Sequence, residues 1–323
     1  MATHTEGGRR WTAADVPDLS GRTAVVTGAN AGIGFETARV LAARGAEVVL
    51  ACRDLGRAEQ AADNIRARNG RARLGTVRLD LASLAGVREA AAEIRATYPR
   101  LSLLINNAGV MEPPYERTED GFELTFGTNH LGHFALAGLV LDRLLATPGS
   151  RIVTLSSVGH LEGVMNFDDL QSEHGYVPAE AYYQSKLANL LFTFELDRRL
   201  RAAGAATSAL AAHPGVVYTN LFQTRPRREQ FLMRPSMRVI NFWVIQSVPK
   251  GALPTLRAAT DPAARGGEYY GPRGPFYARI TGYPALAESS PRAHDVADQA
   301  LLWEVSERLT GVRYDITSPS ALP

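Results

Sequence analysis

A tyrosine and a lysine four residues apart on a helix share one face, and such a pair can move a proton near neutral pH. The stretch AEAYYQSKLANL, residues 179–190, carries this spacing in Tyr182 and Lys186, whereas four residues beyond Tyr183 stands Leu187. A phenol has an ordinary pKa of about 10, too high for ready exchange at neutral pH, and a neighbouring ammonium favours the phenolate and lowers it. Lys186 would supply that charge, leaving Tyr182 as acid when a carbonyl is reduced and as base when an alcohol is oxidised. A serine donating a hydrogen bond to the reacting oxygen would hold it and stabilise developing charge. VTLSSVGH, residues 153–160, offers Ser156 and Ser157 for that task. One tyrosine and one lysine on a helix are commonplace, so the pair gains weight only from its surroundings.

Such chemistry needs a hydride carrier. VVTGANAGIGFETARVLAARG follows the first apolar run and opens a helical pattern, with Gly28, Gly32 and Gly34 spaced G-x-x-x-G-x-G around Asn30 and Ile33. Glycines there let the backbone turn sharply and approach a pyrophosphate, which rests on the positive end of the helix. At the end of the second apolar run, VVLACRDLGRAEQA presents Arg53 and then Asp54. An arginine accommodates the 2′-phosphate of NADP(H), and a carboxylate takes the ribose 2′-hydroxyl of NAD(H). Asp54 is also well placed to cap the next helix, so NADP(H) is the expected cofactor and NAD(H) the alternative. His130, His133, His160 and His213 lack metal-ligand spacing with cysteines or carboxylates, so structural roles and no metal are expected.

The elements that must position these residues are legible as an alternation. Strand patterns fall at 23–27, 46–52, 74–80, 101–106, 151–157 and 206–212, separated by alanine-rich helical stretches. Near-continuous apolar strands joined by crossover helices predict a parallel, doubly wound α/β sheet covered on both faces. The 323 residues contain 45 % hydrophobic and 21 % charged side chains, as in an ordinary globular chain. A formal net charge of +2 gives no basic field for nucleic acid. A lone cysteine, Cys52, precludes an internal disulfide and fits a reducing cytoplasm. Neither a secretory h-region nor a run of about 18 apolar residues is present, so no transmembrane segment is expected. One domain is expected over 1–323, with 20–220 as cofactor and catalytic core, 221–250 as a small helical substrate lid, and 251–323 supplying a last strand and helix.

Within the expected lid, residues 223–238 hold five arginines against one glutamate. Phe222, Phe231, Leu232, Met233, Phe242 and Trp243 would line it and favour an apolar small-molecule substrate. Its arginines fit the charged outer face of a lid, a reader of an acidic substrate group, or a peripheral membrane contact. SPRAHDVADQALLWEVSERLTG reads as a final helix opening at Ser290–Pro291 and stopping at Gly311.

Seven motifs in order now resemble the short-chain dehydrogenase/reductase superfamily: TGANAGIG, LDLAS, NNAG, TNHLGHF, VTLSSVGH, YYQSK and HPGVVYT. The opening WTAADVPDLSGRTAVVTGAN and the closing ALLWEVSERLTG narrow the resemblance to the retinol-dehydrogenase-like branch, which includes the WW-domain oxidoreductase. The resemblance implies a single Rossmann-type domain and four catalytic groups: Asn129, Ser157, Tyr182 and Lys186. Ser156 would shape the strand end, and Asn129 would position a water linking Lys186 to bulk solvent. It further implies that Asp80 and Leu81 meet the adenine side, and that Asn107, Ala108 and Gly109 lie beneath the cofactor. Pro214, Gly215, Val217 and Thr219 would flank the nicotinamide, with Tyr182 and Lys186 near its ribose. Ser157 and Tyr182 are 25 apart (182 − 157), and the intervening 159–181 is expected to form one wall of the substrate site. The implied activity is NADP(H)-dependent interconversion of carbonyl and alcohol. Alternatives are reduction of a conjugated C=C bond, as in protochlorophyllide reductase, and a noncatalytic NADP-binding sensor. The helix face in LANLLFTFELDRRL often builds homodimers in this superfamily.

Overall fold

In the computed structural model residues 10–217, 246–274 and 280–316 are described. The expected runs form β1 (Thr23–Thr27), β2 (Glu47–Cys52), β3 (Arg73–Arg78), β4 (Leu103–Asn106), β5 (Arg151–Leu155) and β6 (Ser208–Ala212). Each lies within two residues of its predicted span. β7 (Tyr269–Arg273) falls inside GGEYYGPRGP, and β8 (Tyr283–Leu286) is an addition that sequence pattern did not signal. β8 is short, carries Pro284 and is only partly buried, which suits an edge strand and hides its period.

The sheet runs β3-β2-β1-β4-β5-β6-β7-β8, parallel throughout except for the antiparallel β8. Crossovers leave β1 and β4 in opposite directions, so a crevice opens beyond their carboxyl ends. Neighbouring strand residues point to opposite faces. Val26, Leu50 and Ile105 pack under α1 (Gly32–Ala43), while Val25, Val49 and Leu104 pack under α3 (Leu84–Thr97) and α4 (Gly132–Leu139). α2 (Leu55–Arg68) follows β2, and Asp54 accepts from the Arg57 N–H at 3.0 Å and caps it as expected.

Ahead of α4 the backbone passes through a π-helical segment, Gly127–Leu131, which contains Asn129. Such bulges concentrate at functional sites because they redirect side chains out of helical register. After the short α5 (Leu141–Leu145) and β5 comes α6, the 25-residue helix Pro178–Ala202 that holds Tyr182 and Lys186. α7 (Val248–Thr260) joins α1 on the first face, and α8 (Val296–Thr310) is the last helix among the described residues.

One expectation is corrected here. The last helix starts at Val296, not at Ser290–Pro291: those residues open a separate 3-10 turn, and the Asp295 carboxylate caps α8 through the N–H groups of Ala297 and Asp298. Its end at Gly311, with φ 63°, is as expected. The α6 face read as a pairing surface is covered by the chain itself, since Leu187, Leu190, Leu191 and Phe194 share a buried cluster with Leu302 and Val305 of α8. Burying each such side chain contributes about 1.5–3 kcal/mol, so α8 would have to detach before that face could pair. Among the described residues no helix is long and apolar enough to cross a membrane.

Candidate active site

The glycine loop follows from steric necessity. Gly28 turns with φ 65°, and a Cβ on Gly34 would lie 2.5 Å from the Gly28 carbonyl oxygen and from the Asn107 amide nitrogen. Here α1 begins at Gly32 behind Ala31, which makes no side-chain cap bond, so the helix N-terminus faces the crevice without a competing side chain. The turn after β4 is pinned beside it: Asn107 Nδ2 donates to the Thr27 carbonyl at 2.8 Å, and the Asn107 and Ala108 N–H groups donate to Thr27 Oγ1 at 2.9 Å each.

A cavity of about 610 Å³ opens over these turns. Its floor and walls include Gly28, Asn30, Gly32, Ile33 and Gly34 from the first turn and Asn107, Ala108 and Gly109 from the fourth. Ser157, Tyr182 and Lys186 enter it from one side and Pro214, Gly215 and Val217 from another. Thus thirteen of the sequence-predicted cofactor positions and three of the four catalytic ones meet in one space. Arg53, Asp80 and Leu81 stand at the ends of β2 and β3 outside it; Arg53 is exposed, Asp80 accepts from the Ala82 N–H at 3.0 Å, and Leu81 is buried. Thr219 and the six lid residues lie outside the described residues.

Lys186 is the most constrained of the group. Its ammonium donates to the Leu155 carbonyl at 3.4 Å and sits 5.6 Å from the centre of the Tyr182 ring. Burial lowers its pKa to about 8, because charge is costly where water is excluded. Ser156 Oγ donates to the Lys186 carbonyl at 2.8 Å, which ties the end of β5 to α6. The following serine caps the turn Val158–Leu161, with Ser157 Oγ accepting from the Gly159 N–H at 3.2 Å and its side chain at the cavity wall. Tyr183 lines the cavity as well, packed so tightly on Gly159 that a Cβ there would come within 2.7 Å of its ring.

Asn129 lies behind this wall, not on it. Its amide oxygen accepts from the Val110 N–H at 2.8 Å, while Nδ2 donates to the Val110 carbonyl and to Ser185 Oγ at 3.0 Å each. Both ends of the side chain are therefore engaged with protein. Sequence reasoning missed Met111, Glu112 and Val216 in the lining, although the first two simply continue the NNAG turn. Glu112 adopts φ 52°, rare for a residue with a side chain, where the chain leaves that turn. Glu162 lines the cavity from the 159–181 segment expected as a wall.

His130, His133, His160 and His213 are buried, and among the described residues no group of three or more His, Cys, Asp or Glu could hold a metal. Desolvation, the larger cause in each, depresses His130 to about 3 and His133 to about 4. Their folded pKa values lie below the unfolded 6.5, so the neutral rings stabilise the fold fully above pH 6.5 and lose that contribution as pH falls toward 4. Denaturant unfolding is expected to lose on the order of 2–5 kcal/mol between pH 7 and pH 4.5, about half of it absent in His130→Phe. An identical pH slope in the wild type and the variant would contradict this origin.

Comparison with known proteins agrees with the geometry. Residues 22–230 match the family model for short chain dehydrogenase. The chain is 41 % identical to retinol dehydrogenase 13 of Homo sapiens over 309 residues, covering 94 % of this chain and 89 % of that protein. It is 40 % identical to retinol dehydrogenase 12 of Mus musculus over 299 residues, covering 92 % and 89 %. Among solved structures, an uncharacterised protein from Mycobacterium Paratuberculosis superposes with a TM-score of 0.78 at 42 % identity, covering 95 % of this chain and all of that one. A structure from Beutenbergia cavernae, described as an NAD(P) dependent gluconate 5-dehydrogenase with bound NADP at low occupancy, gives 0.60 at 28 % identity, covering 78 % and 95 %.

Proposed function

The chain belongs to the short-chain dehydrogenase family and is retinol-dehydrogenase-like, and from that premise we propose that it interconverts a carbonyl and an alcohol on a fairly apolar small molecule, with NADP(H) as the hydride carrier. The observation that carries the reading is the convergence of Ser157, Tyr182 and a buried Lys186 on one cavity with the bare N-terminus of α1. That relatives are named retinol dehydrogenases supports the alcohol–carbonyl chemistry, and the NADP held by the Beutenbergia cavernae protein supports the carrier.

The residues present fit a dinucleotide. The cavity beside Gly28, Gly32 and Gly34 would admit a pyrophosphate near the α1 N–H groups, and the Asn107–Gly109 turn forms a floor beside it. Bound there, a nicotinamide cofactor supplies or accepts the hydride at the substrate carbon. In reduction, the oxygen becoming an alkoxide takes the Tyr182 hydroxyl proton, and in oxidation Tyr182 takes the proton back. The Lys186 ammonium stabilises the phenolate left behind. Ser157 Oγ–H holds the same substrate oxygen, worth about 2.7–4 kcal/mol where such donors have been removed from oxyanion sites. Water exclusion strengthens both interactions, because Lys186 is buried.

The decisive experiment follows NADPH absorbance against a panel of aldehydes, ketones and alcohols. Turnover of apolar carbonyls is expected; protein that binds NADPH yet turns over no member in either direction would overturn the proposal. For the carrier, Arg53 is exposed at the end of β2 and its neighbour Asp54 is committed to capping α2. Arg53→Ala is expected to raise the KM for NADPH by about 10- to 100-fold, the loss of a charge-assisted hydrogen bond, with little effect on NADH. Equal effects on the two cofactors would contradict the preference for NADP(H).

A further inference from the structure

His133 occupies the first turn of α4, directly after the π-helical segment, and is 1 % exposed. Its Nδ1 lies 3.0 Å from the Asn129 carbonyl oxygen. A carbonyl can only accept, so Nδ1 carries the proton. Burial, with the Lys186 charge nearby, keeps the ring neutral. Nε2 therefore offers a lone pair, and Thr27 Oγ1 stands 2.9 Å from it. That contact is shorter than the 3.3 Å from the same hydroxyl to the Ile105 carbonyl, so the hydroxyl proton goes to the ring. Thr27 Oγ1 then spends its lone pairs on the N–H groups of Asn107 and Ala108.

We propose that His133 is a positioning residue for the reaction, locking the floor turn at Asn107–Ala108 to the Asn129–Lys186 side of the site through one hydrogen bond at each ring nitrogen. From Asn129 the connection continues. Its amide brackets the Val110 N–H and carbonyl and donates to Ser185 Oγ, which in turn donates to the Tyr182 carbonyl at 2.7 Å. Ser185 precedes Lys186 on α6. A single run of hydrogen bonds thus crosses from β1, through the π-helical segment, to the helix that presents Tyr182 and Lys186. Buried networks of this kind hold one geometry when every member is satisfied. The ring satisfies both of its nitrogens within it. His133 does not line the cavity described above and takes no proton from the substrate.

The kinetic consequence rests on the hydride-transfer reading; the lock itself rests on geometry, and two measurements separate them. In His133→Phe, a slightly larger ring that makes neither bond, kcat for NADPH-dependent reduction of octanal or the best aldehyde of the panel is expected to fall about 10- to 100-fold. The KM for NADPH should stay within about threefold, because the glycine loop is untouched. His133→Asn retains a donor near the Nδ1 position and should recover most of kcat. His133→Gln reaches Thr27 but gives up the Asn129 carbonyl, so it should remain slow. A merely structural histidine predicts equal kcat per folded molecule in all four proteins, and that result overturns the proposal. Amide hydrogen exchange requires no turnover. In folded His133→Phe, the N–H groups of Asn107, Ala108 and Val110 should exchange at least about tenfold faster while those of β2 are unchanged. Unchanged protection at all three overturns the lock even if the wild type reduces no carbonyl, and an inactive wild type with the expected exchange pattern overturns only the reaction.

Discussion

Tyr182→Phe is expected to lower kcat by about 10²- to 10⁴-fold, the usual contribution of a positioned proton donor, while NADPH titration by protein fluorescence gives an unchanged dissociation constant. The ring keeps its volume and its place beside the Lys186 ammonium, 5.6 Å away, so only the exchangeable proton is removed. A second phenol lines the same cavity, which makes Tyr183→Phe the informative control. Tyr183 packs on Gly159 and has Leu187, not a lysine, four residues on, so its variant should keep most of the wild-type kcat. Substantial residual turnover in Tyr182→Phe, or an equal loss in both variants, would sink the assignment.

Lys186→Met is expected to separate activity from stability. Burial holds the Lys186 pKa at about 8, below its unfolded value, so at neutral pH the ammonium is retained at a cost to the fold. The unfolded chain binds the extra proton between about pH 8 and 10.5, so stability rises with pH across that window and the charge is least favourable below it. Removing the charge should therefore raise unfolding free energy at pH 7 by on the order of 1–3 kcal/mol while kcat falls by about 10²-fold. In the wild type, kcat/KM for reduction should decline as pH rises through about 8, because the ammonium beside Tyr182 is lost. That limb should be missing in whatever activity Lys186→Met retains. A variant both inactive and destabilised would show that Lys186 serves packing, and one that keeps kcat would remove it from the mechanism.

Such opposition between function and stability explains part of what could be read in advance. A lysine on an apolar helix face conflicts with local preference, and conflicts of that kind mark working residues. The six leading strands were legible because their apolar runs obey the period of a sheet buried on both faces. The glycine loop was legible because space at Gly34 admits no side chain. β8 was not, since four residues around Pro284 at an edge carry no period. Nor was the start of α8, where Ser290 and Asp295 both satisfy capping chemistry and only the observed 3-10 turn divides them.

What the chain determined by itself is local: strand and helix periods, turn glycines, the four-residue step from Tyr182 to Lys186, and the order of motifs that identifies the family. These depend on residues within a few positions of one another, where side-chain direction follows from backbone repeat. Tertiary structure alone decided which of those groups share a cavity, how far burial depresses Lys186, and that the Asn129 amide is committed to Val110 and Ser185. It also joined Thr27 to His133 across 106 positions of chain. Desolvation and hydrogen-bond satisfaction are set by whatever atoms the fold brings within a few ångströms, and no short window of sequence contains them.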